Sequence, residues 1–139
     1  MSNAAAKDFG LDYFNQILPT EKLTTLAEEN AERFQHASPV PHIYFDDVFD
    51  ADFLRKIAEE FPEKTDTKWQ SFDNDREKKL ASCGDENLGP YARALIANMN
   101  SGTFITFLEK LTGIEGLIPD PHLMGGGMHR IMPGGKLAV

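Results

Sequence analysis

The alternation of apolar and polar positions predicts four helices. In each stretch apolar residues recur three and four positions apart, so one face of the helix is apolar. Pro19-Thr20-Glu21 provides a start with a capping hydroxyl, and Asp50, Pro90 and Ser101 begin the other three. Pro62 ends the second helix and Gly113 ends the fourth. The four predicted apolar faces are Leu23, Leu26, Ala27, Ala31 and Phe34; Leu54, Ile57, Ala58 and Phe61; Ala92, Leu95, Ile96 and Met99; and Phe104, Ile105, Phe107, Leu108 and Leu111.

Residues that favour β-structure are concentrated in two places. His42-Ile43-Tyr44-Phe45, followed by Asp46-Asp47, predicts a short strand. Residues 122–139 contain five of the eleven glycines, and these flank β-competent residues. This pattern predicts strands joined by a Pro-Gly-Gly turn with a bulge. Residues 63–88 are polar and predicted to be irregular. There Trp69 and Phe72 either anchor the segment by packing or stack on a ligand.

The order of these elements predicts an α+β fold. We expect a flexible tail over residues 1–10 and a helical support region with one early strand over 11–121, followed by core strands over 122–139. A chain of 139 residues is enough for one domain. It stops at Val139 within a predicted strand, and an isolated hairpin is only marginally stable in water. The pattern therefore predicts a truncated larger domain.

Composition and charge exclude several classes of protein. The chain has 14 Lys and Arg against 22 Asp and Glu, a net charge of −8. Nucleic-acid binding needs a basic face, which the short run Arg76-Glu77-Lys78-Lys79 does not supply, and we interpret that run as solvated surface. No apolar run approaches the ~20 residues of a membrane span. The N-terminus lacks the pattern of a signal peptide and Cys83 is the only cysteine, so we expect a reducing cytoplasm.

The sequence offers few residues with an obvious chemical role. None of His36, His42, His122 and His129 begins a His-x-Asp/Glu triplet, and the single Cys83 excludes paired-cysteine zinc sites. The glycines do not have the spacing of a phosphate-binding loop, so we interpret them as structural. Cys83 has no implied histidine partner. His129, between two glycine clusters, is either a hydrogen-bonded strand histidine or a residue close to a ligand.

Several motifs, in a fixed order, resemble one family. Pro41-His42-Ile43-Tyr44-Phe45-Asp46-Asp47-Val48-Phe49 resembles the opening strand of bacterial 2-oxoglutarate/Fe(II)-dependent oxygenases of the prolyl-4-hydroxylase-like group. The resemblance covers residues 39–139. The further motifs that carry it are Glu77-Lys78-Lys79-Leu80, Leu108-Glu109-Lys110-Leu111-Thr112-Gly113-Ile114, Leu117-Ile118-Pro119-Asp120-Pro121-His122-Leu123 and Gly125-Gly126-Gly127-Met128-His129-Arg130-Ile131 leading into Gly134-Gly135-Lys136-Leu137.

The resemblance implies a double-stranded β-helix, or jelly roll, supported by N-terminal helices. It implies Fe(II), held by two histidines and a carboxylate, and 2-oxoglutarate as cofactors of the complete protein. The family strand that matches Gly134-Gly135-Lys136-Leu137-Ala138-Val139 leads directly into the first iron ligand, so the chain stops one residue before it. No catalytic or metal-ligating residue is therefore assigned here, and His129, Ile131 and Leu137 match positions that line the cosubstrate pocket.

Two hypotheses of function follow. In the first, the chain is the N-terminal portion of a dioxygenase that hydroxylates a C–H bond while converting 2-oxoglutarate to succinate. The 139-residue chain alone is then expected to be inactive and to hold no cofactor tightly. Its substrate would be a small molecule or a peptide, with no nucleic-acid or membrane partner. In the second, the chain is a non-catalytic α+β protein-interaction module that uses residues 125–135 as an interaction edge.

Overall fold

The computed structural model describes residues 17–63, 69–82, 84, 87–123 and 126–138 of the chain. In these residues the fold is α+β, with four helices and a small antiparallel sheet. All four predicted helices are confirmed, whereas the predicted tail over residues 1–10 lies outside the described residues. The elements are α1 (Thr20–Gln35), α2 (Ala51–Glu59), β1 (Gln70–Asp73), β2 (Glu77–Ala81), α3 (Pro90–Met99), α4 (Gly102–Thr112), β3 (His129–Arg130) and β4 (Lys136–Leu137).

The helix ends follow from local side chains, with one exception. Asp50 Oδ1 accepts a hydrogen bond from the Phe53 amide at 2.7 Å, which caps α2 as predicted. Ser101 caps α4, and Gly113 ends it in the left-handed conformation with φ 74°. The hydroxyl cap predicted for α1 is wrong. Pro19 occupies the capping position there, while Thr20 is already helical and its hydroxyl donates to the Leu18 carbonyl at 3.4 Å.

The start of α3 is capped by a side chain from the residue that follows α2. The Glu60 carboxylate, just beyond α2, accepts hydrogen bonds from the Tyr91 amide at 2.9 Å and the Ala92 amide at 3.0 Å. Gly89 leaves room for it, since a Cβ at this position would lie 2.4 Å from Glu60 Cδ. These bonds satisfy amides at the start of α3 that have no partner within the helix, and they fix α2 against α3.

The main core lies between α1 and α4. The rings of Phe104 and Phe107 lie 5.3 Å apart, and Phe45 lies 6.5 Å from Phe107. The predicted apolar faces of α1 and α4 both contribute to this core. Its buried members are Leu18, Leu23, Ala27, Phe104, Phe107 and Leu111.

Two predictions from the first half of the chain need correction. The strand predicted at His42–Phe45 is wrong, because the segment pairs with no strand among the described residues and lies on the helical core, with Ile43 and Phe45 packed inward and Tyr44 73% exposed. The alternation of the side chains is real, but helices rather than neighbouring strands cover the inner side. The apolar face of α2 is also partly wrong, since Phe53 is the buried residue and Leu54 is 40% exposed.

Residues 63–88, predicted to be irregular, contain the β1–β2 hairpin. Its register pairs Asp73 with Lys78 and Gln70 with Ala81. The turn is held by Asn74 Oδ1, which accepts hydrogen bonds from the amides of Arg76 at 2.9 Å and Glu77 at 3.0 Å. Strands β3 and β4 both pair antiparallel with β2. No helix of the described residues combines the length and apolar character needed to cross a membrane.

Candidate functional site

Strands β3 and β4 are two parts of one interrupted strand along β2. Arg130 pairs with Leu80, and Lys136 pairs with Lys78, so residues 131–135 all lie opposite Lys79 alone. The Gly135 amide donates to the Met132 carbonyl at 2.7 Å. Proline follows Met132, and Gly134 has φ 80°, the pattern of a type II turn. The predicted Pro-Gly-Gly turn is therefore present, but as a bulge inside a strand instead of a hairpin connection.

The entry to this strand is fixed by a close approach of two backbones. Ser82 is 1% exposed, and its amide donates to the Met128 carbonyl at 2.9 Å while its Oγ accepts from the Met128 amide at 3.0 Å. Gly127 has φ 150°, and a Cβ there would lie 1.8 Å from the Ser82 carbonyl oxygen. Only glycine allows this approach, in agreement with the structural role expected for it.

The register divides the sheet into two faces, because cross-strand partners project to the same side and successive residues to opposite sides. We call them the His129 face and the Arg130 face. The His129 face carries Gln70, Phe72, Glu77, Lys79, Ala81, His129 and Leu137. The Arg130 face carries Ser71, Asp73, Lys78, Leu80, Arg130 and Lys136.

Two of the three predicted cosubstrate residues share a face. His129 lies opposite Ala81 and Leu137 opposite Glu77, so their backbones are about 13 Å apart along β2. His129 is exposed, and Leu137 is 62% exposed. Ile131 lies in the bulge, 50% exposed, with its Cγ2 only 2.7 Å from where a Cβ on Gly135 would be. The structure thus brings His129 and Leu137 to one surface without contact between them.

The solvated position predicted for Lys79 is wrong. Its side chain is 15% exposed, and Nζ lies 2.9 Å from Glu77 Oε2. Nζ also lies 5.3 Å from the centre of the Phe72 ring, on the neighbouring strand. The sequence could have indicated these contacts only through the hairpin register. The one local indication of a hairpin is the turn-forming pair Asn74-Asp75, which lies between Phe72 and Leu80.

A cavity of about 270 Å³ lies at the Arg130 face, and Phe72 and Lys79 of the other face also contribute to its lining. One wall of the cavity is the type II turn. Leu80 is the cross-strand partner of Arg130 and lies two residues from Lys78 on β2, so it adjoins both charged side chains. None of His129, Ile131 and Leu137 lines this cavity or the two others of similar size. Its lining residues are Ser71, Phe72, Asp73, Lys78, Lys79, Leu80, Arg130, Met132, Pro133 and Gly135.

Arg130 and Trp69 join the sheet to the end of α2. Arg130 Nη1 donates to the Pro62 carbonyl at 3.1 Å and lies 3.8 Å from Glu63 Oε2. The Trp69 ring packs 5.7 Å from Phe61, and its Nε1 donates to the Glu63 carbonyl at 2.6 Å. The packing role predicted for Trp69 is confirmed, and Phe72 similarly packs under Lys79.

The resemblance assigns its iron ligands to positions beyond Val139, so none is expected among the described residues. Within residues 17–63, 69–82, 84, 87–123 and 126–138, no cluster of three or more His, Cys, Asp or Glu side chains could hold a metal ion. His36 Nδ1 and His42 Nδ1 instead lie 2.9 and 2.8 Å from the carbonyls of Glu32 and Val40. Cys83 lies outside the described residues.

Comparison with known proteins identified no relative. No protein-family model matches the chain, and neither a curated protein nor a solved structure matches it. The likeness to oxygenases therefore depends on the ordered motifs in the sequence.

Proposed function

We propose that the chain is the N-terminal portion of a 2-oxoglutarate- and Fe(II)-dependent dioxygenase of the prolyl-4-hydroxylase-like group. The observation that carries the proposal is the order and number of matching motifs over residues 39–139. The complete protein would couple hydroxylation of a C–H bond in a small molecule or peptide to conversion of 2-oxoglutarate to succinate. The iron ligands would lie beyond Val139, so no step of this chemistry is assigned to residues of this chain.

The arrangement of the sheet supports this proposal. A jelly roll needs further strands beside its first ones, and the outer side of β3 and β4 has no partner strand among the described residues. His129 and Leu137 share one face, as residues that line a common pocket would. In the proposed complete protein, further strands would cover this face, and the exposure of His129 and Leu137 in the 139-residue chain agrees with that.

In this proposal the His129 face forms one wall of the cosubstrate pocket. Leu137 and Ile131 would supply apolar contacts that exclude water, and His129 would supply a polar contact near the glycine-rich entry to the strand. The helical body would support the opposite face through Arg130 and Trp69, which already link the sheet to α2.

The coding region beyond codon 139 provides the first test. We expect codons for a histidine, any residue and an acidic residue directly after Val139, and another histidine some tens of codons later. The protein encoded by the full reading frame should then form succinate from 2-oxoglutarate when Fe(II) is added. A reading frame with no such motif, or a full product that binds neither cofactor, would refute the proposal.

Variants of the full product test the role of the His129 face. Leu137→Ala and His129→Ala should raise KM for 2-oxoglutarate by about tenfold if each loses one pocket contact. Ile118→Ala is a matched control, since Ile118 is an aliphatic residue 90% exposed on the connection after α4. If all three variants had the same KM for 2-oxoglutarate, the cosubstrate would bind at a site other than the His129 face.

The interaction-module hypothesis has one observation in its favour. Ile131 in the bulge and Leu137 on β4 are aliphatic and at least half exposed, and the outer side of β4 has no partner strand among the described residues. It predicts a native stop codon after Val139 together with cooperative unfolding of the 139-residue chain.

A further inference from the structure

We propose that the cavity on the Arg130 face binds a small organic anion, with its carboxylate or phosphate between Lys78 and Arg130 and its apolar part on Leu80 and Met132. This inference does not depend on the proposed oxygenase activity. It concerns the face of the sheet opposite to His129 and Leu137.

The first argument is an unfavourable pairing of like charges. Lys78 and Lys136 are direct cross-strand partners on the same face. Like charges in this position destabilise a sheet, because the Cβ atoms of such a pair are only about 5 Å apart. Asp73 offsets part of the charge, with its Oδ2 3.2 Å from Lys78 Nζ. Lys136 forms no ion pair with any residue that the structure describes.

A third cation lies beside this pair. Arg130 is on the same face, diagonal to Lys78 across β2, where Cβ atoms are about 7–8 Å apart. Both side chains are long enough to reach a group between them. Arg130 Nη1 donates to the Pro62 carbonyl and lies 3.8 Å from Oε2 of Glu63, whose side chain is 86% exposed. These contacts hold the guanidinium through one nitrogen, and the fork has further N–H donors that a ligand could use.

The charge of the sheet differs from that of the whole chain. Residues 69–82 contain three basic and three acidic side chains, and residues 126–138 contain two basic and none acidic, so these segments carry +2. The whole chain carries −8. A positive concave site on an otherwise acidic protein attracts small anions while the remaining surface repels large polyanions.

The cavity sets the size of the ligand. About 270 Å³ is just below the usual range for small-molecule sites. Leu80 and the turn residues Met132 and Pro133 give it an apolar portion beside the cations. The bulge creates this wall, and bulges commonly redirect side chains at binding sites. A carboxylate or phosphate on a small apolar group therefore fits better than a bare ion.

The test is a titration of the 139-residue chain followed by amide NMR, at constant ionic strength adjusted with chloride. The probes are benzoate and phenyl phosphate, which separate carboxylate from phosphate recognition, with acetate and inorganic phosphate as their non-aromatic counterparts. We expect saturable shifts confined to β1, β2 and residues 130–136. At least one aromatic probe should bind more tightly than its counterpart.

Variants with one fewer charge then locate the binding groups. Lys78→Gln should weaken binding by at least about tenfold, the effect of one charge-assisted hydrogen bond. Lys78 is 57% exposed, so this change should leave the chain folded. Lys110→Gln is the matched control, since Lys110 is an exposed lysine of α4 with one ion pair, to Glu28 at 3.3 Å, and it does not line the cavity. Lys136→Gln should weaken binding less than Lys78→Gln.

Three outcomes would overturn the proposal. The first is the absence of saturable binding by any of the four probes. The second is an equal loss of affinity in Lys110→Gln and Lys78→Gln, which would indicate a general effect of charge. The third is saturation of this face only by heparin or by anionic lipid vesicles, which would make it a surface for a macromolecular polyanion.

Discussion

The helical body and the sheet are held together by different interactions. In the body, α1, α4 and the preceding Leu18 bury six residues in a continuous core, and rings such as Phe104 and Phe107 are in direct contact. In the sheet, β3 and β4 have two residues each, and Leu137 is 62% exposed. The sheet depends instead on backbone hydrogen bonds, on Ser82 and on glycines that let backbones approach. Apolar burial thus sets the position of the helices, whereas hydrogen bonding and glycine geometry set the position of the strands.

The largest expected effect is in the body. Phe107→Ala should lower the free energy of unfolding by about 3–5 kcal/mol, because it removes a ring packed against Phe104 and Phe45. In the sheet, Leu137→Ala should change it by less than about 0.5 kcal/mol. Urea denaturation followed by circular dichroism would measure both values. If the two variants were equally destabilised, the sheet would be as dependent on burial as the body.

The next effect tests the glycine geometry of the sheet. Gly127→Ala should cost about 2–4 kcal/mol, because its Cβ would collide with the Ser82 carbonyl and its φ of 150° is unfavourable for alanine. Hydrogen exchange should show loss of protection at the Ser82 and Met128 amides before those of α1 and α4.

Gly102→Ala is the control for this change and should have the opposite sign. Gly102 is the first residue of α4, and a Cβ there would meet nothing within 4 Å. It should stabilise the chain by about 0.4–1 kcal/mol. Destabilisation by Gly102→Ala, or full protection at Ser82 in Gly127→Ala, would contradict this account.

A smaller effect is expected where Glu60 caps α3. Gly89→Ala should cost about 1–2 kcal/mol, because the added Cβ displaces the carboxylate from the Tyr91 and Ala92 amides. In a Glu60→Ala background the same change should cost much less, since the group that it displaces is absent. Additive effects of the two changes, measured in a double-mutant cycle, would show that Gly89 matters for another reason.

The smallest effect concerns the β1–β2 hairpin. Asn74→Ala should cost about 1 kcal/mol, because the amides of Arg76 and Glu77 lose their side-chain acceptor. Asp75→Ala, at the exposed position next to it, is the control and should be nearly neutral. Thermal unfolding is sensitive enough for both. A larger loss in the control would mean that charge, and not the Asn74 turn, stabilises the hairpin.

The sequence predicted the body better than the sheet for a physical reason. Helices depend on neighbours three and four positions away, so the periodicity and the caps at Asp50 and Ser101 were sufficient. Pairing of β2 with β3 and β4 depends on residues about 50 to 60 positions apart, such as Leu80 and Arg130. The same limit explains the error at His42–Phe45, where alternation correctly indicated an inner and an outer side but could not show that helices cover the inner one.

The candidate site, like the sheet that carries it, was predicted only in part from the sequence. The glycine-rich segment and its turn were correctly singled out, because glycine and proline act locally. The sequence could not show that His129 and Leu137 lie on the face opposite to the cavity. It also could not show that Lys78 is solvent-exposed while Lys79 is largely covered, since this difference depends on which residue of β1 lies beside each lysine. The role of His129, Ile131 and Leu137 stays a prediction.

The bulge also limits how the length of this segment can change. Residues 131–135 add four positions to a regular ladder, and four is even, so side chains keep the same alternation on both sides of the interruption. Insertions or deletions of two residues between Arg130 and Lys136 should therefore be tolerated. A change of one residue would rotate β4 by half a turn and exchange Leu137 for Lys136 on the His129 face. What matters for this segment is therefore whether the number of inserted or deleted residues is even or odd, more than how many residues it contains.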